Sequence, residues 1–194
     1  MNRVLEHEIE SVAGVPGRLP PDEHVLWQGA PAFLPAARRV FHYRLVGVYF
    51  ALLAAWQVIA GRADGAGIGE MIASITWTLT LGAGAIAILL LLGWLVHRTT
   101  IYTITNRRVV MTIGMALPMS LNIPFKAIES ASSGIQRDGS GDIALRVADE
   151  HRIAYAVLWP HARPWHVRNP QPTLRSLPDA GLVADILRNA LHTR

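Results

Sequence analysis

Residues 71–96 read MIASITWTLTLGAGAIAILLLLGWLV, without one charged side chain. A helix needs about 20 apolar residues to cross the hydrocarbon of a bilayer. The stretch therefore predicts a transmembrane span from about residue 71 to 96, with Trp94 as an interfacial anchor ahead of His97 and Arg98. Gly82, Ala83, Gly84, Ala85 and Ala87 are small enough for another helix to approach closely. Upstream, residues 45–60 form a second uncharged stretch, LVGVYFALLAAWQVIA. It is short, and needs Val40, Phe41 and Tyr43 to make a span of about 40–60, with Arg44 snorkelling to the headgroups. The glycine-rich linker GRADGAGIGE (61–70) is brief enough to join the two as an antiparallel hairpin. It carries Arg62 against Asp64 and Glu70, whereas Arg38, Arg39, Arg44, Arg98, Arg107 and Arg108 flank the other ends. Lys and Arg collect on the cytoplasmic side, so both termini are expected on the cytoplasmic side of an inner membrane.

Composition agrees with an anchored chain. Only 16% of the 194 residues are charged, against about 25% in soluble domains. The polar start, Met1 to Glu10, has no apolar run and is not a secretory signal. The net charge of +4 comes almost entirely from arginine, with Lys126 the only lysine. No run of five or six basic residues reads as a nucleic-acid patch, so no nucleic-acid partner is expected. The absence of cysteine excludes disulfides, thiol nucleophiles and Cys-based zinc sites.

The organisation expected is a lead over residues 1–37, a transmembrane hairpin over 38–98 and a cytoplasmic domain over 99–194. Prolines 16, 20, 21, 31 and 35 discourage long helix or strand in the lead, whose residues 19–31 are expected to pack beside the domain. Past the second span the texture changes. Thr100–Thr105 is β-branched and aromatic, as strands prefer; Asn106-Arg107 is a turn, and Arg108–Ile113 a second strand ended by Gly114. Met119–Ile123 alternates apolar and polar, Pro124–Ile128 leads into a further strand, and Asp138-Gly-Ser-Gly141 signals a hairpin turn. Ile143–Val147 and Arg152–Val157 read as the arms of a last hairpin around Asp149-Glu-His151. Strands at this spacing indicate an antiparallel β-sandwich or barrel. A proline-rich insertion (160–178) follows, and then a helix over 179–192, with Asp179 as cap and Leu182, Val183, Ile186, Leu187, Ala190 and Leu191 on one face. The fold class is thus membrane α+β: a two-helix hairpin plus an antiparallel domain closed by a C-terminal helix.

The insertion offers the most informative side chains. Trp159, Arg163, Pro164, Trp165, Arg168, Pro170, Pro172 and Arg175 are candidates for docking a partner. Proline pre-orders the chain and so reduces the entropy lost on binding, and Trp and Arg dominate interface hot spots. The competing reading tucks Trp165 into the core and lets the prolines merely route the chain. Arg98, Arg107 and Arg108 are candidates for anionic lipid headgroups, at about 1 kcal/mol per basic residue near the surface; ordinary flanking charge explains them equally simply. No enzyme is expected. There is no G-x-S-x-G, phosphate loop or HExxH, no ionisable residue deep in either span, and Asp149-Glu150 reads as solvated turn charge. His161 and His166 lack the further ligands a zinc site requires.

A run of strands closed by an amphipathic helix resembles the pleckstrin-homology (PH) architecture. Tyr102-Thr-Ile-Thr-Asn-Arg-Arg-Val-Val-Met-Thr-Ile-Gly114 and Asp22-Glu-His-Val-Leu-Trp-Gln-Gly29 look like segments of bacterial PH-like domains found beside membrane spans. The tail, with His161-Ala-Arg-Pro-Trp165, Asn169-Pro-Gln-Pro-Thr-Leu-Arg175 and Leu177-Pro-Asp179, is similar to PuhB-type photosynthetic complex assembly proteins of purple phototrophs, and Gly14–Pro20 fits them too. The resemblance implies a non-enzymatic assembly factor whose partners are reaction-centre or core light-harvesting polypeptides, together with membrane lipid; a homodimer is left open. It implies no resident cofactor or metal. His42 and His97 sit outside the apolar cores where a bacteriochlorophyll ligand belongs, which leaves at most a transient pigment contact. The alternative is a general bacterial membrane PH-like protein that binds anionic lipid or senses the state of the envelope.

Overall fold

The computed structural model describes residues 14–15, 19–114, 119–148, 150 and 153–193. Two compact units result: Ala32–Arg98, and Met1–Pro31 together with Thr99–Arg194.

The first unit is helical. α1 (Phe33–Arg39) leads to α2 (Tyr43–Ala63) and α3 (Ile68–Thr99). α2 (21 residues) and α3 (32 residues) are both long and apolar enough to cross a membrane. Both helices outrun the expected spans in part. His42 adopts a left-handed φ of 52° and breaks the chain between α1 and α2. Val40 and Phe41 therefore lie at that joint, and α2 extends through Gly61–Ala63 instead. The linker expected over 61–70 shrinks to Asp64–Gly67.

Two devices hold α2 on α3. Gln57 Nε2 donates to Thr78 Oγ1 at 2.8 Å, and that hydroxyl returns its proton to Gln57 Oε1 at 3.0 Å. A polar pair of this kind joins helices in hydrocarbon because each side chain lacks another partner there. Gly82 provides the close approach: a Cβ there would stand 2.8 Å from Phe50 Cγ. Gly93 receives Ala37 of α1 in the same way, at 3.0 Å from its Cβ.

The second unit is built on two antiparallel sheets. Sheet one runs β1 (Val25–Gly29), β2 (Ile101–Thr105), β3 (Arg108–Ile113) and β4 (Met119–Pro124), in that spatial order. After a 3-10 turn (Phe125–Ala127), sheet two runs β5 (Ile128–Ile135), β6 (Gly141–Val147) and β7 (Thr173–Leu177). A short helix, α4 (Tyr155–Leu158), precedes β7, and α5 (Ala180–His192) follows it. Both sheets and α5 share one apolar core, in which Tyr102, Met111, Leu145, Leu174, Val183 and Leu187 are at most 1% exposed. The residues of β2, β3 and β6 that enter this core (Tyr102 and Ile104; Val109, Met111 and Ile113; Ile143 and Leu145) are spaced two apart, as the period of a strand requires. The sheets pair separately, so barrel closure is not shown.

Three expectations change here. The lead is not only packed beside the domain: Val25–Gly29 is the edge strand of sheet one, in register with Tyr102–Thr105. Residues 153–157 do not form a strand; Tyr155–Leu158 is helical, while Asp149, His151 and Arg152 lie outside the described residues. The partner of β6 is instead β7, drawn from the end of the proline-rich insertion, with Ile143 opposite Leu174. On α5, Leu182 is exposed although its spacing placed it inward.

Candidate functional site

The chain between α4 and β7 makes a closed excursion with a fixed base. Thr173 N–H donates to His161 O at 2.8 Å, Ala162 bridges Pro172, and Arg163 N–H donates to Gln171 O at 3.0 Å. Arg163 Nη1 reinforces this rung at Gln171 Oε1, 2.9 Å away. Beyond it, Pro164–Pro170 forms the tip. His166 Nδ1 donates to Pro164 O at 2.9 Å. Trp165 adopts a φ of 64° and is 95% exposed; Val167 is 64% and Trp159 51% exposed. A non-glycine residue rarely holds positive φ. Here the rung below it and the prolines on both sides fix the backbone. The segment from Trp159 to Leu177 contains no Asp or Glu, while Arg168 stands exposed at the tip.

Beneath the base lies a buried polar cluster that sequence reading did not assemble. His161, 2% exposed, has Nδ1 2.6 Å from Tyr102 Oη and Nε2 3.2 Å from Thr100 Oγ1. Tyr102 Oη accepts from Arg175 N–H at 3.2 Å. The phenol proton then goes to His161 Nδ1 and the imidazole Nε2–H to Thr100, which gives both ring nitrogens a partner. Burial, and secondarily the Arg175 guanidinium, lower the His161 pKa to about 3, so the ring is neutral. Burial pushes the Tyr102 phenol up. Arg175 Nη1 donates to Pro160 O at 3.3 Å, and its Nε lies 3.8 Å from Asp142 Oδ2, an ion pair beyond hydrogen-bond range. Asp142 Oδ1 accepts Ser176 N–H at 2.6 Å.

The candidate docking residues thus separate. Trp165 and Arg168 belong to an exposed tip, and Trp159 and Pro164 are exposed too. Arg163, Pro172 and Arg175 belong to the base, holding the loop in shape. Pro170 is half-buried between them. The reading in which Trp165 fills the core is overturned by its exposure. Both signals for the split were present in the sequence, since His161 and Tyr102 are residue types that bury with a partner, but pairing them needs the fold.

The basic candidates also separate. Arg108 makes a two-pronged ion pair with Glu23, Nε to Oε1 at 2.7 Å and Nη2 to Oε2 at 2.9 Å. The Glu23 side chain is only 3% exposed, and Thr105 Oγ1 donates to it at 2.8 Å. Arg108 thus fastens β1 to the β2–β3 turn, and its charge is already satisfied within the domain. Arg107 faces Asp22 at 3.5 Å with both side chains open to solvent, a pair of small worth. Arg98 stacks over Trp94 at 5.3 Å. Among the described residues no group of three or more His, Asp or Glu side chains is arranged to hold a metal.

Two antiparallel sheets with a C-terminal helix across their shared core define a PH-like domain, here interrupted in sequence, after its first strand, by a pair of long apolar helices. The sequence profile of the bacterial PH domain family matches residues 30–191, and the chain belongs to that family. It is 39% identical over 191 residues to a protein of Rhodobacter capsulatus described as an uncharacterized 23.7 kDa protein in the puhA 5′ region. The alignment covers 97% of this chain and 89% of that one. No solved structure matches the chain.

Proposed function

We propose that this chain is a membrane-anchored, non-enzymatic assembly factor for the complex of photosynthetic reaction centre and core light-harvesting antenna. The observation that carries the reading is the pinned loop, which holds Trp165 95% exposed on a fixed base. A buried core has no use for such a residue, whereas a binding surface does. The photosynthetic context rests on the relative in the puhA 5′ region. α2 and α3 anchor the domain in the bacterial inner membrane, with both termini cytoplasmic. The tip meets the cytoplasmic faces of reaction-centre or light-harvesting polypeptides, and transient binding raises their local concentration. No bond is made or broken, and neither cofactor nor metal is required.

The test is a pull-down of the tagged full chain from its native membranes in mild detergent, followed by mass spectrometry and an absorption spectrum. Enrichment of reaction-centre or core-antenna polypeptides, at least tenfold weaker with Trp165→Ala and Arg168→Ala, is the expected result. Both substitutions lie at the tip and leave the base intact. Recovery of lipid and the bait alone, under conditions that keep weak complexes, would remove the assembly reading in favour of a lipid-facing PH-like protein.

A further inference from the structure

β5 is the open edge of sheet two: it pairs with β6 on one side only. From Glu129 to Ile135 every residue is exposed. Among the described residues nothing pairs with the outer backbone edge of Ser130–Ile135. Folded proteins usually blunt such an edge with charge, proline or a bulge. Here the irregularity lies at the beginning, between Ile128 and Ser130, and Ser130-Ala-Ser-Ser-Gly-Ile135 carries neither charge nor proline.

The faces of the strand follow from its register. Ala131 stands opposite Leu145 and Ser133 opposite Ile143, and both partners are buried in the core. Ala131, Ser133 and Ile135 therefore lie on the core side of the sheet, yet uncovered. Beside them runs a groove of about 250 Å³ whose apolar lining includes Ile128, Ala131, Ile143, Ala184, Leu187 and Leu191. Ile135, 52% exposed, is a knob of the right kind for this groove.

We propose that the edge receives the β5 strand of a second copy of this chain, antiparallel and related by a two-fold axis near Ser133. In that register Ile135 of each copy opposes Ala131 of the other and enters its groove, so one contact is made twice, as an isologous interface requires. The charged flanks fit the same arrangement. Glu129, already beside Arg146 of its own chain, lies at one end of the exposed run and Arg137 at the other. An antiparallel copy sets Glu129 of each chain opposite Arg137 of the other, acid to base in both directions, whereas a parallel copy sets Glu129 against Glu129. The paired backbone satisfies the open donors and acceptors of the edge, and two three-stranded sheets become one of six strands. The assignment stands apart from the assembly reading and uses none of the docking loop.

The natural absence of cysteine makes the test direct. Directly opposed residues of an antiparallel pair have Cα atoms about 4.5–5.5 Å apart, inside the range a disulfide spans. The full chain in detergent, at several concentrations and with excess micelles, is expected to show a concentration-dependent dimer by light scattering. Ser133→Cys should lock that dimer under mild oxidation, at least tenfold faster than a cysteine placed at exposed Asn169. Ser133→Lys, which puts two like charges on the axis at an exposed site, should return the chain to monomer. Amide exchange at Ser130–Ile135 should slow as concentration rises. A chain that stays monomeric overturns the proposal, as does a dimer that survives Ser133→Lys and fails to cross-link through Cys at that position.

Discussion

A proton on His161 would place a charge among Tyr102, Thr100 and the guanidinium of Arg175, at a site only 2% exposed to solvent. The folded ring has its pKa lowered to about 3 by burial and then by Arg175, whereas in the unfolded chain it titrates near the usual value of about 6.5. Between those values the unfolded chain binds a proton that the folded one refuses. Stability contributed by this group is complete above about pH 6.5 and is lost as pH falls toward about 3, by up to tenfold in the folding equilibrium per pH unit. Urea unfolding of the full chain at pH 7, 6 and 5 should show this slope, and His161→Gln should flatten it. An unchanged slope in the variant would locate the acid sensitivity elsewhere. Glu23 poses the complementary case. Its carboxylate is 3% exposed and held by Arg108, which keeps 20% exposure. Breaking a buried pair by removing one partner costs roughly 3–5 kcal/mol, and the partial exposure of Arg108 puts Glu23→Ala at the lower end, about 3 kcal/mol. A loss under 1 kcal/mol in the same unfolding assay would mean that water already screens the pair.

At the scale of elements, the helix hairpin depends on one polar pair and one small residue. Gln57→Leu with Thr78→Val should weaken the α2–α3 association by about 1 kcal/mol, the usual size of such bonds in a membrane. Gly82→Leu should weaken it more, because even a Cβ would stand 2.8 Å from Phe50. Steric trapping in bilayers measures both, and equal costs would deny the glycine its role. The two long apolar helices were legible because the lack of charge over 71–96 is a long, one-dimensional signal. Strands β2, β3 and β6 were legible as apolar runs that end at turn residues and β4 by its alternation, whereas β5, poor in β-branched residues, was placed only as a strand following Pro124–Ile128. β1 and β7 were hidden, although Val25–Gly29 and Thr173–Leu177 are each five residues long. Both lie in proline-rich sequence, where local chemistry argues against strand, and each is made a strand by a distant partner, β2 or β6. The candidate docking loop was visible as composition. Its division into tip and base was not, since the rung from Arg163 to Gln171 and the bonds around His161 are products of the fold. That division has a consequence: Trp165→Ala should leave Tm within 1 °C of the parent, while Tyr102→Phe, which strips His161 and Arg175 N–H of a partner, should lower it by several degrees.

For the whole molecule, the proposed topology is the assumption on which the assembly role depends, because the docking loop reaches cytoplasmic faces only if the domain lies in the cytoplasm. The charges support that arrangement. Arg38, Arg39, Arg44 and Arg98 flank the outer ends of α2 and α3, whereas the inner ends and the turn between them hold Arg62 with Asp64 and Glu70. Basic residues resist transfer across the inner membrane, and acidic ones contribute little to orientation. A chain free of cysteine allows a clean assay, one introduced thiol at a time. In intact cells, Gly65→Cys in the α2–α3 turn should react with a membrane-impermeant maleimide. Asn169→Cys in the loop and Thr193→Cys beyond α5 should react only after the inner membrane is opened. Gly65 has open space around it, although its φ of 71° makes any side chain there slightly strained; Ala66→Cys provides a second reporter in the same turn. Labelling at 169 and 193 in intact cells, with the turn protected, would invert the molecule. The Trp165 tip would then face the periplasm, and any partner would have to be sought on that side.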